Sequence, residues 1–408
     1  MSEQSTTLKR TLTLPLLIFY GVGVTIGAGI FALIGETISI AGNKAPIGFV
    51  LAGIIAAATG LSYAKLAAVY PRAAGEAVFV NIGMGQNWGR LVGIGVTITA
   101  IVSSAVIAIA FAGYLGQLIP LPAPILVIGI VALLTLIACL GVTQSVIFAA
   151  IITAIELGAL ILIVWFGANS LTVPSNWVDA FAPPSSFEIW PAIFSAALLA
   201  FFAFVGFEDI ENMAEETINP HINVPLAIIA TLIITVIIYA LVALVAVSAP
   251  DPTAIAHSKA PLATLYAQLT GGSGELIAAA ATIAMVNGIL VQIIMGARVI
   301  FGMSKEGMLP QGLSHVHPKL KTPIRATIGV AVLITVLALT FPLGGLARTT
   351  AAVILTVFTL VNISLWRIGN RKQADPSLQR WKYLGLLGAA LSAGLLIIEL
   401  INQISTLF

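Results

Sequence analysis

Apolar runs of roughly twenty residues, separated by short polar or proline-rich interruptions, dominate the chain. They mark eleven spans at about 12–34, 46–70, 89–119, 122–141, 144–168, 189–214, 223–248, 274–302, 324–341, 347–366 and 382–405, each long enough to cross a bilayer as a helix. The third and fourth are divided at Pro120, Pro122 and Pro124, the fourth and fifth at Gly141 to Gln144. Two spans are interrupted within themselves. The first carries GVTIGAGIF from Gly23 to Phe31, with glycines at 23, 27 and 29, a pattern costly to a continuous helix. Unwound backbone at membrane depth survives where protein or a water-filled cavity satisfies it, so this stretch is a candidate ligand site. The same glycines also suit the close approach of a neighbouring helix. In the sixth span, FFAFVGFEDIENMAEE from Phe201 to Glu216 sets Gly206, Glu208 and Asp209 behind an apolar half-helix and marks a second break. Glu211, Glu215 and Glu216 read as solvated carboxylates at its cytoplasmic end.

The two breaks are related. Gly27 and Val205, where they begin, are separated by the same interval, to within one residue, as the starts of the second and seventh spans at 46 and 223. They fall in the first and sixth spans, an offset of five, so the second copy runs with the opposite orientation. The pattern predicts a single transmembrane domain, with one repeat over about 12–168, a second over about 189–366 and an added helix over about 382–405. Paired interruptions in inverted halves point to a secondary transporter with its substrate site at the midplane.

Composition narrows the class. Of 408 residues, 59% are hydrophobic and only 8% charged, with a mean hydropathy of +1.08, which excludes an ordinary soluble enzyme. With the N-terminus inside, only Lys44, Lys259 and Arg348 of the 18 Lys and Arg residues fall outside, a strong positive-inside bias. The odd number of spans then puts the C-terminus outside. No removable signal peptide is expected. The lone Cys139 has no partner for an intramolecular disulfide, and His315 and His317 lack further ligands for a metal. GxxxxGK[ST], HExxH and GxSxG are absent, which argues against direct ATP energisation and against an intramembrane hydrolase. No cofactor and no nucleic-acid partner are expected.

A broken helix exposes N–H groups where its second half starts and C=O groups where its first half ends. An α-amino acid carries the complementary charges on neighbouring atoms. The N–H groups of Ala28 and Gly29 therefore suit its carboxylate, and the C=O groups near Thr25 and Val205 its ammonium; Ile26, Gly27 and Gly206 belong to the same substrate site, and the lack of a Cβ at Gly27 and Gly29 lets the ligand approach. Glu156, with about ten apolar residues on either side in the fifth span, is the other candidate. Burial at that depth disfavours the charged form of a carboxylate, which makes Glu156 a proton-coupling candidate, with Glu208 competing for the role. A carboxylic acid hydrogen-bonded between helices is the alternative. Glu399, outside the repeats, reads as peripheral.

Four segments resemble the amino acid, polyamine and organocation transporter superfamily, in particular its prokaryotic amino acid permeases. They are GAGIF at 27–31, LSYAKLAAVYPRAAGEAVFV at 61–80, FAFVGFEDIENMAEETINPHINVP at 202–225 and ARVIFGMSKEGMLPQGLSHVHPKLKTP at 297–323. The resemblance implies an all-α polytopic membrane protein with the leucine-transporter-type 5+5 inverted repeat, helices 1 and 6 broken, and alternating access. It also implies that Thr25, Ala28, Gly29, Phe202 and Val205 surround a bound amino acid, with Phe202 as an aromatic gate and Gln292 lining the side-chain pocket. Two positions depart from the family pattern. Lys65 stands where an acidic residue is more usual, and Glu76 follows Gly75 where a second glycine is common. Some relatives place a lysine in the fifth helix where it replaces a sodium ion; here the nearby ionisable group is Glu156. The expected function is amino acid transport across the cytoplasmic membrane, proton-coupled with sodium left open, and for neutral substrates because the centres of spans three, eight and ten carry no charge. An exchanger, a carrier of cationic amino acids or polyamines, and a non-transporting amino acid sensor are the alternatives.

Overall fold

The computed structural model describes residues 10–71, 75–141, 146–305, 310–320 and 322–405. The sequence division at 142–144 lies outside these. Among the described residues there is no β-strand, and every span is helical. The first is split into α1 (Leu14–Ile26) and α2 (Gly29–Ala41). Then follow α3 (Ala45–Val69), a short helix α4 (Gly75–Met84), α5 (Gln86–Leu115), α6 (Ala123–Leu140) and α7 (Val146–Phe166). The sixth span opens with α8 (Trp190–Phe202), and the rest are α9 (Pro220–Val247), α10 (Glu275–Lys305), α11 (Ile324–Thr340), α12 (Leu343–Gly369) and α13 (Pro376–Ser405). Among the described residues, eight stretches are long and apolar enough to span a bilayer, and Leu14–Ile26, Phe187–Phe202 and Ile324–Thr340 are shorter apolar helices. Their outward faces carry Ile and Leu side chains more than half exposed, such as Leu133, Ile233 and Leu400. Such faces belong in hydrocarbon, not water.

The packing repeats with an offset of five spans. α1 packs on α9 as α8 packs on α3, and α1 on α7 as α8 on α12. Likewise α5 meets α6 as α10 meets α11, and α10 meets α7 as α5 meets α12. An odd offset reverses the direction of each partner, so this is the inverted 5+5 arrangement. α13 lies outside it and is pinned by a buried carboxylate: Glu399 pairs with Arg348 of α12 and accepts a hydrogen bond from Ser195 Oγ of α8 at 2.7 Å. Burial makes that pair costly to split, a structural role that fits the peripheral reading of Glu399.

The two interrupted spans are tied together at the N-terminal face. Thr11 and Leu12 N–H groups donate to Glu216 O at 2.9 and 3.0 Å, and Ile218 N–H donates to Leu12 O at 2.9 Å.

Candidate functional site

The first break is two residues wide, Gly27 and Ala28. Gly27 takes φ 23° and ψ −141°, a conformation that L-residues avoid, and helix resumes at Gly29. The first N–H groups of α2 consequently have no partner inside the helix. The second break is drawn out. At the end of α8 the bonds tighten to i→i−3, with Ala203, Phe204 and Val205 N–H groups donating to Ala200, Phe201 and Phe202 O. Gly206 then turns at φ 127°. From there to Glu216 the chain runs in further i→i−3 turns, such as Asp209 N–H to Gly206 O and Glu211 N–H to Glu208 O, with only a four-residue helix at Asp209–Asn212.

The breaks face each other. A Cβ on Gly206 would lie 2.7 Å from Val24 O, and one on Gly29 would overlap Ala203. On the far side of α1, a Cβ on Gly23 would overlap the Thr153 side chain of α7, one turn before Glu156. Close packing and an open break thus use the same glycine-rich stretch. The space released at Gly29 holds Ala203, so its lack of a Cβ serves the contact between spans; at Gly27 the need is backbone conformation.

Tyr239 of α9 closes the arrangement from behind. Its hydroxyl lies 2.8 Å from Ala203 O, 3.1 Å from Thr25 O and 3.2 Å from Ile26 O. It therefore bridges the carbonyl ends of both first halves with one proton. Its ring packs on Phe49 and Phe204. The Thr25 carbonyl proposed for an ammonium thus meets a phenol here.

Between the breaks lies a cavity of about 80 Å³, room for several water-sized groups. Of the residues picked from sequence, Thr25, Gly27, Ala28, Gly29, Phe202, Val205, Gln292 and Glu156 line it. Ile26, Gly206 and Glu208 do not. Ile26 is buried at 1% exposure, Gly206 packs on Val24, and Glu208 Oε2 accepts the Gly206 N–H at 2.8 Å, behind the break. Asp209 faces the cavity instead of its neighbour Glu208. Sequence reasoning also passed over Ser103 and Ile107 on α5, and Asn287 and Val291 on α10, which complete the wall. Asn287 was the findable one, an amide in the middle of an apolar span. Thr25 Oγ1, Glu156 Oε2 and Asn287 Oδ1 are buried without a hydrogen-bond partner among the described residues. Three such atoms around one cavity invite a ligand, since burying them unsatisfied is costly. Among the described residues, no basic side chain lines the cavity.

The solvated reading of the acidic tail does not hold for Glu211, which is 1% exposed. α4 covers it, folding back over the end of the sixth span. Glu216 is half-buried, and the Glu215 side chain lies outside the described residues. His317 Nδ1 accepts the Leu320 N–H at 3.2 Å, and no group of metal-ligating side chains assembles among the described residues.

A helical membrane bundle with two opposed breaks and a buried polar cavity between them is the construction of a transporter. The chain belongs to the amino acid permease family, whose model matches residues 12–406. It is 30% identical to an uncharacterized transporter of Mycobacterium tuberculosis over 89% of this chain and 81% of the relative. It is 29% identical to the branched-chain amino acid permease of Bacillus subtilis over 90% and 82% of the two chains. With the human cationic amino acid transporter 4 it shares 28% identity over 92% of this chain and 62% of that protein. The protein is therefore a multi-pass membrane transporter and not an enzyme.

Proposed function

We propose that the protein moves amino acids across the cell membrane by alternating access at the cavity between Gly27 and Gly206, taking up neutral amino acids together with protons. The N-terminus faces the cytoplasm and the C-terminus the outside. The observation that carries this reading is the cavity itself, with free N–H groups at the start of α2 and the unpartnered Glu156 Oε2 in one enclosure. The substrate carboxylate meets Ala28 and Gly29, its ammonium the carbonyl side near Val205, and Phe202 closes over it. Gly27 and Gly206 are the bends that hold these groups, and Thr25 and Gln292 add polar contacts. The α5 and α10 walls, Ser103, Ile107, Asn287, Val291 and Gln292, carry no charge, which supports a neutral side chain. Glu156 takes up and releases the coupled proton, and a sodium gradient is the alternative drive.

Asp209 favours a second reading. A carboxylate in a cavity without a base suits a cationic side chain or a polyamine.

Counterflow in proteoliposomes with a panel of labelled amino acids and polyamines tests both. Saturable exchange of neutral amino acids is expected. Preference for basic substrates would establish the second reading, and binding without saturable counterflow would overturn transport in favour of a sensor.

A further inference from the structure

Behind the cavity, on the N-terminal face, lies a group of carboxylates that transport through Glu156 does not use. Glu76, at the start of α4, is 6% exposed, and Glu211, in the irregular half of the sixth span, is 1% exposed. The Glu211 carboxylate sits directly against Gly75, so that a methyl there would overlap it, and it faces the Glu76 side chain. Neither Glu211 oxygen has a hydrogen bond of good geometry among the described residues, and the groups that reach them are the backbone N–H and the carboxyl of Glu76. A second orphan lies nearby. Tyr63 of α3 is fully buried, ringed edge-on by Phe79, Phe207 and Phe358, and its hydroxyl is also unpartnered. The charges that act on it are Glu76, Glu211, Glu208 and Asp209.

Around this pair the sixth span contributes Glu208, held by Gly206 N–H, and Asp209, beside Asn212. α1 contributes Tyr20, next to Asp209 and Glu216. The Lys65 ammonium of α3 lies over the Trp381 ring, 4.8 Å from its centroid. Arg90 of α5 is exposed in a separate groove with Ala77 and Asn81. α12 offers the apolar Phe358. Arg72 lies outside the described residues. Two carboxylates in contact in an apolar surround, with no described base beside them, cannot both be ionised and stay together.

We propose that Glu76 and Glu211 form a second proton site, distinct from Glu156, whose bound proton joins α4 to the second half of the sixth span and whose loss opens the N-terminal face. The location makes the contact a joint between two bodies. α4 packs on α5 and α12, whereas the 209–216 segment packs on α1, where Ile210 fills the space beside Gly21. With a proton shared, one carboxyl donates to the other. With the proton gone, two negative charges repel across that joint, and water must enter to solvate them. The gating consequence rests on the alternating-access reading above; the proton site does not.

Two measurements on the full-length protein in proteoliposomes test the site. Backbone hydrogen exchange of residues 75–84 and 209–216, corrected for intrinsic chemistry, is followed from about pH 5.5 to about pH 8.5. Wild-type protection in both segments is expected to fall on the order of tenfold as pH rises. In Glu76→Gln/Glu211→Gln, protection is expected to be independent of pH, and single Glu76→Gln serves if the double variant does not fold. Counterflow at equal pH on both sides is expected to lose the matching part of its pH profile in the same variants. Flat wild-type protection, or a variant with the wild-type pH dependence, overturns the proton site. Absence of counterflow in the wild type would overturn the transport reading, and the exchange measurement would still decide the site.

Discussion

The two breaks occupy corresponding positions of the inverted repeat, yet they are held open by different means. In the first span, two regular thirteen-residue helices are separated by Gly27 and Ala28, and the bend rests on backbone and glycine with no carboxylate in it. In the sixth, α8 gives way to i→i−3 turns whose bend is capped by a carboxylate, Glu208 Oε2 on Gly206 N–H, and whose flank carries Asp209 and Glu211. A backbone device keeps its shape at any pH. A side-chain device can be switched by protons, and the carboxylates of this molecule gather at the sixth span. On the proposal above, the first break is the fixed half of the site and the sixth the responsive half. Tyr239 is the element common to both, since its hydroxyl reaches Thr25 O, Ile26 O and Ala203 O.

The largest effect that sharpens this contrast is expected from bulk in the first break. Gly29→Val would drive a side chain into Ala203, forcing the two spans apart; overpacking of this kind costs about 1–3 kcal/mol. A clear drop in melting temperature with loss of counterflow is expected. Gly27→Ala meets Val24 O at 3.2 Å and Gly23 O at 3.7 Å, and bears mainly the cost of its positive φ, about 1–2 kcal/mol. It should insert and fold while losing substrate binding, and thermal melting alongside binding separates the two. Equal melting losses in both would show that both glycines serve packing alone.

A smaller effect is expected at the bridge. Tyr239→Phe removes the hydroxyl and leaves three buried carbonyls without it, a loss of about 1–3 kcal/mol. Melting should fall, and counterflow should weaken without a change in its pH profile, because the bridge touches backbone and no carboxylate. A shifted pH profile would mean that Tyr239 belongs to the responsive half.

The spans and the first break were legible in the sequence because both depend on local pattern: apolar length, and glycines where a helix cannot afford them. Gly206 showed for the same reason. What followed it did not. FEDIENMAEE reads as a solvated helix end, because nothing in the string reveals that α4, from a different part of the chain, folds over Glu211. The choice of Asp209 over Glu208 as the cavity carboxylate depends on turns of three residues in place of helix, which rotate the side chains away from a helical register. Tyr239 and Asn287 are single polar groups inside apolar runs, and only tertiary packing tells such a residue from a solitary one. Gln292 was placed by counting along a resembling segment, and packing brings it to the cavity.

The central claim, that an amino acid is carried through the cavity with a proton held at Glu156, is tested most directly by uptake into proteoliposomes under an imposed pH gradient, comparing wild type with Glu156→Gln. The wild type is predicted to accumulate substrate above equilibrium, whereas the variant should exchange substrate by counterflow without accumulating it. Accumulation by Glu156→Gln to the wild-type level, with the same dependence on the gradient, would contradict the account.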